Sequence, residues 1–342
     1  MPRVLVTDYT FGTLDVERAA LEPLGCQVEA AQCRTEEQAR AHVGGADYVL
    51  TQFAPLGPRA IAAMDRARLI VRYGIGVDNV DLAAAAAQGI PVYNVPDYCI
   101  DEVADHTLAL ILSLTRQTVT LTVGIRAGRW GSPPPTTAFQ ALRDMTVGVV
   151  GCGRIGREVV RRLAPFKPRI LVYDPVLSTT DARALGVEPA PLEHLWAESD
   201  LITLHLPSTA ETRGLIDAAT IARMKDGVLL VNVARGTLVK TPDLVAALHS
   251  SKVGGAALDV FDPEPIPNDS PLLVMDNVVI TSHIASASVR AAHLLRSRVA
   301  ATVVKAMRGD ALPPSVNGVP APRGAVQEAA PAPTPSDAAR AR

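Results

Sequence analysis

Short apolar runs alternate with longer stretches of helical period along most of the chain. Residues 4–7, 48–51, 69–71 and 91–93 are runs of three or four mostly apolar residues between polar or turn-forming neighbours. Such runs predict strands buried on both faces, because a half-buried strand would alternate. Between them, residues 15–24 and the Ala-rich stretch 82–88, which stops at Gly89, predict helices. A longer helix is predicted from near Asp101 through residues 108–114, with Asp101 and Glu102 suited to its N-terminus. A second series of strands is predicted at 147–150, 170–173, 201–204, 228–233, 256–260 and 278–281. Strands alternating with helices predict parallel βαβ units, so the fold class is α/β with two similar lobes.

Proline and glycine punctuate this pattern twice. Gly131-Ser132-Pro133-Pro134-Pro135 predicts an irregular polar loop. Residues 313–342 hold seven of the 27 prolines and few large apolar side chains, which predicts a disordered tail. The length of 342 residues suits about two domains. The chain is 48% hydrophobic but only 4% aromatic, so the core is expected to be Ala, Val, Leu and Ile. With 33 basic and 35 acidic residues, nothing in the charge balance points to a nucleic-acid partner. No apolar run approaches the ~20 residues that span a bilayer, and the N-terminus does not read as a signal peptide. Cys26, Cys33, Cys99 and Cys152 show no metal-ligand spacing, which suits reduced thiols in a cytoplasmic protein without a metal.

Chemistry first becomes visible after the strand at 147–150. It runs into Gly151-Cys152-Gly153-Arg154-Ile155-Gly156, a G-x-G-x-x-G at a strand-to-helix junction. Gly151 permits a tight turn, Gly153 lets backbone N–H groups approach a pyrophosphate, and Gly156 lets the helix pack on its strand. The next strand ends in Asp174, 18 residues beyond Gly156. A carboxylate there accepts from ribose hydroxyls and repels a 2′-phosphate, so NAD is favoured over NADP. The second lobe therefore reads as a Rossmann-like nucleotide-binding unit.

Three further polar residues lie at or after predicted strand ends: Arg235 in Asn232-Val233-Ala234-Arg235-Gly236, Glu264 in Asp262-Pro263-Glu264-Pro265, and His283 in Ser282-His283-Ile284-Ala285. Ligands of a doubly wound sheet bind outside the carboxyl ends of its strands, so the three could converge. Other histidines read differently. His42, His194, His249 and His293 read as surface residues, and His106 as a packing or salt-linked partner of Glu102 at i,i+4. His205, in Leu204-His205-Leu206-Pro207, ends a strand near the expected adenine pocket.

Over about residues 45–300 the sequence resembles the D-isomer-specific 2-hydroxyacid dehydrogenases. The matching pieces are Arg72-Tyr73-Gly74-Ile75-Gly76-Val77-Asp78-Asn79-Val80-Asp81, the glycine fingerprint, the stretch 232–236, the stretch 255–260 with Glu264, and His283-Ile284-Ala285. The resemblance implies Arg235, Glu264 and His283 as catalytic residues: Arg235 for the substrate carboxylate and keto oxygen, His283 for proton transfer, Glu264 to orient His283. It implies NAD bound by Gly151, Gly153, Arg154, Ile155, Gly156, Asp174, His205, Leu206, Pro207, Thr212, Val233, Ala234, Arg235, Asp259, His283 and Ala285, with Asp259 on the nicotinamide amide. Substrate would meet Gln52, Tyr73, Gly74, Ile75, Gly76, Arg235 and His283, the 73–76 loop through its N–H groups. It further implies two Rossmann-like doubly wound lobes with a cleft between them, and a homodimer joined through the nucleotide lobes. The substrate lobe would be discontinuous (1–98 plus 288–318), the NAD lobe 99–287, and the tail 319–342.

Two departures from the family bear on substrate and geometry. Ser282 stands where proline is usual before the histidine, which removes some rigidity. Gln52 is uncharged where 3-phosphoglycerate dehydrogenases tend to carry an arginine, and no C-terminal regulatory domain is expected, so 3-phosphoglycerate ranks lower as substrate. The segment Val95-Pro96-Asp97-Tyr98-Cys99-Ile100-Asp101-Glu102-Val103-Ala104-Asp105-His106 is similar to that of the C-terminal-binding proteins. That similarity keeps an NAD-responsive regulator as an alternative, beside a dehydrogenase of another small anion such as formate or phosphite.

Overall fold

The computed structural model describes residues 1–130, 139–320 and 322. The loop expected at 131–135 and most of the tail expected at 319–342 lie outside the described residues. The chain divides into two compact units, Met1–Tyr98 with Ala292–Arg342, and Cys99–Ala291.

In the first unit β1 (Arg3–Val6), β2 (Gln27–Ala30), β3 (Tyr48–Thr51), β4 (Leu69–Arg72) and β5 (Val92–Tyr93) form a parallel sheet in the order β2-β1-β3-β4-β5. The expected strands are its centre and one edge. Val4, Leu5, Val6, Val49, Leu50, Ile70 and Val71 are at most 1% exposed, and each fully buried side chain of this kind contributes about 1.5–3 kcal/mol. β2 was not predicted. It is an edge strand in which Val28 alone is buried, so it has no apolar run to betray it.

In the second unit β6 (Thr146–Val150), β7 (Arg169–Tyr173), β8 (Glu188–Pro189), β9 (Leu201–Leu204), β10 (Val228–Asn232), β11 (Val253–Leu258) and β12 (Val278–Ile280) form a parallel sheet in the order β12-β11-β10-β9-β6-β7-β8. β8, two exposed residues at the edge, also escaped the apolar pattern. Leu171, Leu195, Trp196, Ile202, Leu204 and Leu230 lie in the core of this unit. The order reverses between β6 and β9, which opens a crevice at their carboxyl ends. The first sheet reverses in the same way between β1 and β3, whose carboxyl ends lead to Asp8 and Gln52.

The long helix spans Ile100–Thr115 and buries Val103, Ala104, Thr107, Leu110, Ile111 and Leu114, the spacing of a one-sided helix. Arg162, on the helix Arg154–Leu163, ties it down through Asp101 and Asp105 at 2.8 and 2.6 Å. Among the described residues no single helix is long and apolar enough to cross a membrane. The long helix and Thr118–Arg126 pass that test only as a pair bent by 60°.

The start of the expected tail is ordered, which corrects the reading of 313–342 as wholly disordered. The Val316 N–H donates to the Val92 carbonyl at 2.8 Å. The Asn317 carboxamide accepts from the Val92 N–H at 3.0 Å and donates to the Ile90 carbonyl at 2.9 Å. One asparagine satisfies both kinds of group at the open edge beside β5, which a count of prolines does not reveal.

Candidate active site

The glycine loop occupies the crevice at the β6–β9 reversal. Gly151 has φ +96°, and a Cβ there would lie 2.7 Å from the His205 carbonyl oxygen. A Cβ on Gly156 would lie 2.1 Å from the Gly151 carbonyl oxygen, so the turn closes only on glycine. Gly153 differs, because a Cβ there would meet nothing within 4 Å. The protein itself leaves open space at this position, at the N-cap of the ten-residue helix Arg154–Leu163, where no side chain caps the first amides. That combination fits an anionic pyrophosphate.

Asp174 follows β7 and braces this loop. Its carboxylate accepts from the Cys152 N–H at 2.6 Å and the Val176 N–H at 2.9 Å. Arg154 is exposed and Ile155 half-buried beside it. Across the crevice, the His205 ring sits 3.0 Å from the Thr203 hydroxyl, and burial pushes its pKa down to about 3, so it is neutral. Leu206 and Pro207 continue from it, and the Thr212 hydroxyl donates to the Pro207 carbonyl at 2.7 Å, which closes that loop.

β10 ends in Asn232, whose carboxamide donates to the Arg235 carbonyl at 2.8 Å and accepts from the Ala234 N–H at 3.0 Å. This clamp holds buried Val233 and half-buried Ala234 and Arg235 in one turn. Arg235 Nη1 donates to the Ala234 carbonyl at 2.7 Å, which fixes the plane of its guanidinium.

His283 Nδ1 lies 2.7 Å from Glu264 Oε2, with each side chain 33% exposed. The other oxygen of Glu264 accepts from the Phe261 N–H at 2.8 Å. Burial raises the Glu264 pKa, but the hydrogen bond and charge of His283, the Phe261 N–H and the Arg235 charge outweigh it. The net shift is downward, so Glu264 is ionised across the neutral range. The folded state gains from this above the ordinary carboxylate range and loses it as pH falls through the lowered value. With a carboxylate on Nδ1, that nitrogen carries the proton and Nε2 is left to exchange one with a ligand. Glu264→Gln loses the carboxylate that holds the His283 ring, and kcat/KM is expected to fall about tenfold, the worth of one charge-assisted hydrogen bond; a kcat/KM within twofold of that of the unmodified chain contradicts this pairing.

His283 has φ +56°, a left-handed conformation that costs a non-glycine residue about 1–3 kcal/mol. The neighbouring bonds offset that cost. The His283 N–H donates to the Asp259 carbonyl at 2.7 Å. The Asp259 carboxylate accepts from the Ile284 and Ala285 N–H groups at 3.0 and 2.9 Å and from the Thr281 hydroxyl at 2.5 Å. Asp259 and Ala285 are both buried, so in this structure the Asp259 carboxylate faces the histidine loop.

The expected substrate residues of the other unit are largely committed to its own structure. Tyr73 is 1% exposed, and its hydroxyl donates to Glu17 at 3.2 Å. Burial, then the Glu17 charge, push that hydroxyl's pKa well up. The Tyr73 N–H donates to the Thr51 carbonyl at 2.8 Å and the Gly74 N–H to the Arg72 carbonyl at 3.0 Å, and the Ile75 carbonyl is held by Asn94, which leaves the Ile75 and Gly76 N–H groups for a ligand. The Gln52 carboxamide accepts from the Thr10 N–H at 2.8 Å, while Asp8 binds the Gln52 and Phe53 N–H groups at 2.9 and 2.6 Å. Arg72 stacks over Phe53 with its guanidinium 5.7 Å from the ring centroid.

The structure thus brings Arg235, Glu264, Asp259 and His283 into one network of the second unit. Asn232, Thr281 and Asp8 carry much of the geometry but had no assigned role. Each is a short polar residue at or next to the carboxyl end of an apolar strand, and that position was their only signal. Among the described residues no hydrogen bond or ion pair joins His106 to Glu102. The Ser288 hydroxyl donates to Glu102 at 2.7 Å, and His106 turns toward Thr281 at 3.1 Å. No group of three or more potential ligands that could hold a metal occurs among the described residues.

A family model, D-isomer specific 2-hydroxyacid dehydrogenase, NAD binding domain, matches residues 108–285. The chain is 37% identical over 322 residues to the D-3-phosphoglycerate dehydrogenase of Mycobacterium leprae, covering 93% of this chain and 59% of that one. It therefore spans little more than half the length of that relative. It is 38% identical over 265 residues to the glyoxylate reductase of Korarchaeum cryptofilum, covering 77% of this chain and 80% of that one. Among solved structures, the D-lactate dehydrogenase of Aquifex aeolicus, complexed with NAD and lactic acid, superposes with a TM-score of 0.81 at 30% identity, over 90% of this chain and 96% of that one.

Proposed function

Because the chain belongs to the D-isomer-specific 2-hydroxyacid dehydrogenases, we propose that it interconverts a D-2-hydroxy acid and its 2-keto acid with NAD. The observation that carries this reading is the 2.7 Å pair of His283 and Glu264, set in the same unit as the glycine loop and Arg235. When bound, the nicotinamide supplies or accepts the hydride. Gly151, Gly153, Arg154, Ile155 and Gly156 would hold its pyrophosphate and Asp174 the adenosine ribose. His205, Leu206, Pro207 and Thr212 would line the adenine side. Val233, Ala234, Arg235, Asp259, His283 and Ala285 would line the nicotinamide side.

A 2-keto acid presents a carboxylate, a keto oxygen and an electrophilic carbon. The planar fork of Arg235 can bind the carboxylate and polarise the keto oxygen. As the oxygen gains charge, His283 gives it the proton on Nε2, and Glu264 stabilises the imidazolium beforehand. In the oxidative direction His283 takes that proton back. Of the loop that the resemblance gives to the substrate, the Ile75 and Gly76 N–H groups, with Gln52, would supply further contacts, because the Tyr73 and Gly74 N–H groups already donate to Thr51 and Arg72. The homodimer implied by the resemblance and the cytoplasmic location read from the cysteines belong to the same proposal.

Asp174 supports NAD over NADP, because a carboxylate there opposes a 2′-phosphate. In Asp174→Asn the ratio of NADPH to NADH affinity is expected to rise about tenfold, the size of one lost charge interaction. Fluorescence titration of both nucleotides checks this, and an unchanged ratio contradicts it. The function is tested by following NADH oxidation with glyoxylate, pyruvate, hydroxypyruvate and bulkier 2-keto acids. Turnover to the D-hydroxy acid supports it. Tight NADH binding without turnover on any of them overturns it in favour of a nucleotide-responsive binding protein.

A further inference from the structure

His106 belongs to none of the roles above, yet it reaches the histidine loop from behind. It stands on the helix Ile100–Thr115, with Nε2 3.1 Å from the Thr281 hydroxyl and 3.7 Å from Asp259 Oδ1. Thr281 has one hydroxyl proton, and the 2.5 Å bond to Asp259 Oδ1 uses it, since an ionised carboxylate can only accept. The Thr281 oxygen must therefore accept from His106, which fixes the proton of that imidazole on Nε2. The direction of the chain follows: His106 donates to Thr281, Thr281 donates to Asp259, and Asp259 receives the Ile284 and Ala285 N–H groups that follow His283.

Each link restricts the next. The Asp259 side chain is 1% exposed and that of His106 is 21% exposed, so water competes little for these bonds. The left-handed turn at His283 is what aims the next two N–H groups at one carboxylate. Without the anchor at Thr281, the carboxylate can rotate, those N–H groups lose their acceptor, and the turn relaxes toward ordinary backbone. Ser282 puts no rigid ring on the N-terminal side of this loop, so the side-chain chain carries more of the positioning.

We propose that His106 is a positioning residue for the His283 proton donor, acting through Thr281 and Asp259. The inference rests on the dehydrogenase reading. A misplacement of about 1 Å in a reacting group can cost about 10²-fold in rate. His106→Leu and Thr281→Val are each expected to lower kcat about 10- to 100-fold, with NADH affinity changed less than about threefold.

The test uses the full chain, NADH and whichever 2-keto acid it turns over. His106→Gln keeps an N–H donor and Thr281→Ser keeps the hydroxyl, so each recovers most of the kcat lost in the apolar variant. The double variant His106→Leu/Thr281→Val falls no further than the worse single variant, because both break one chain. Thermal melts of the five variants and the unmodified chain, and the pH profile of kcat, accompany the rates. The apolar variants are expected to change kcat and its pH profile, while the rescuing variants keep both. Additive losses in the double variant, losses that appear in KM alone, or a His106→Leu rate equal to that of the unmodified chain overturn the inference. If the apolar variants do not fold, the glutamine and serine variants decide, since a loss of rate in both with unchanged melts also overturns it. Absence of turnover by the unmodified chain is a different result, and it overturns the dehydrogenase reading instead.

Discussion

His283→Asn is expected to lower kcat by about 10²–10⁴-fold, the usual contribution of a positioned general acid–base. Asparagine is the informative replacement. It tolerates the left-handed backbone that His283 adopts at φ +56°, so the loop and its bonds to Asp259 can persist. It cannot hold an exchangeable proton against Glu264, which in the unmodified chain lies 2.7 Å from Nδ1. The loss should therefore fall on kcat, with the NADH dissociation constant within about threefold of its starting value. Steady-state rates at several pH values check this, because the limb of the profile that belongs to the histidine should vanish. A variant within tenfold of the unmodified rate would remove His283 from the chemistry.

Arg235→Lys is expected to lower kcat/KM by about 10²–10³-fold. Lysine keeps the charge but not the planar fork that matches a carboxylate and a neighbouring carbonyl oxygen. Each charge-assisted hydrogen bond is worth about 1.5–3 kcal/mol, and at least one is lost with the fork. The guanidinium plane is also set by the Nη1 bond to the Ala234 carbonyl, which lysine makes differently. Glu264 loses part of the positive field that helps keep it ionised, so the pH profile should change in the same variant. A kcat/KM for the keto acid that stays within threefold would contradict the role given to Arg235.

Much of the second unit was legible in the sequence because its strands are buried on both faces. Val147, Val149 and Val150 are at most 0% exposed and Leu201 is likewise covered, so their apolar runs carry the signal directly. The glycine fingerprint was legible for a similar reason, since Gly151 and Gly156 are positions where any side chain collides with backbone. Edge strands β2 and β8 were not legible, because one open face lets polar residues in. The order of contacts around the histidine loop was hidden as well. His106 and Glu102 are one helical turn apart, which suggests a pair, but tertiary partners 175 and 186 residues away take their hydrogen bonds instead. Tyr73 and Gln52 occupy the positions expected of substrate residues, yet Glu17 and Thr10 already use their polar groups. Periodicity reports burial, not which partner a polar atom finds.

The most direct test follows the hydride itself. NADH carrying deuterium at the transferred position of the nicotinamide is mixed with the full chain and an accepted 2-keto acid, and the product is examined by NMR and chiral separation. The account predicts deuterium on C2 of a D-2-hydroxy acid, at a rate that collapses in His283→Asn. Nucleotide that binds but leaves no deuterium in any 2-keto acid, or transfer that survives loss of His283, would contradict it.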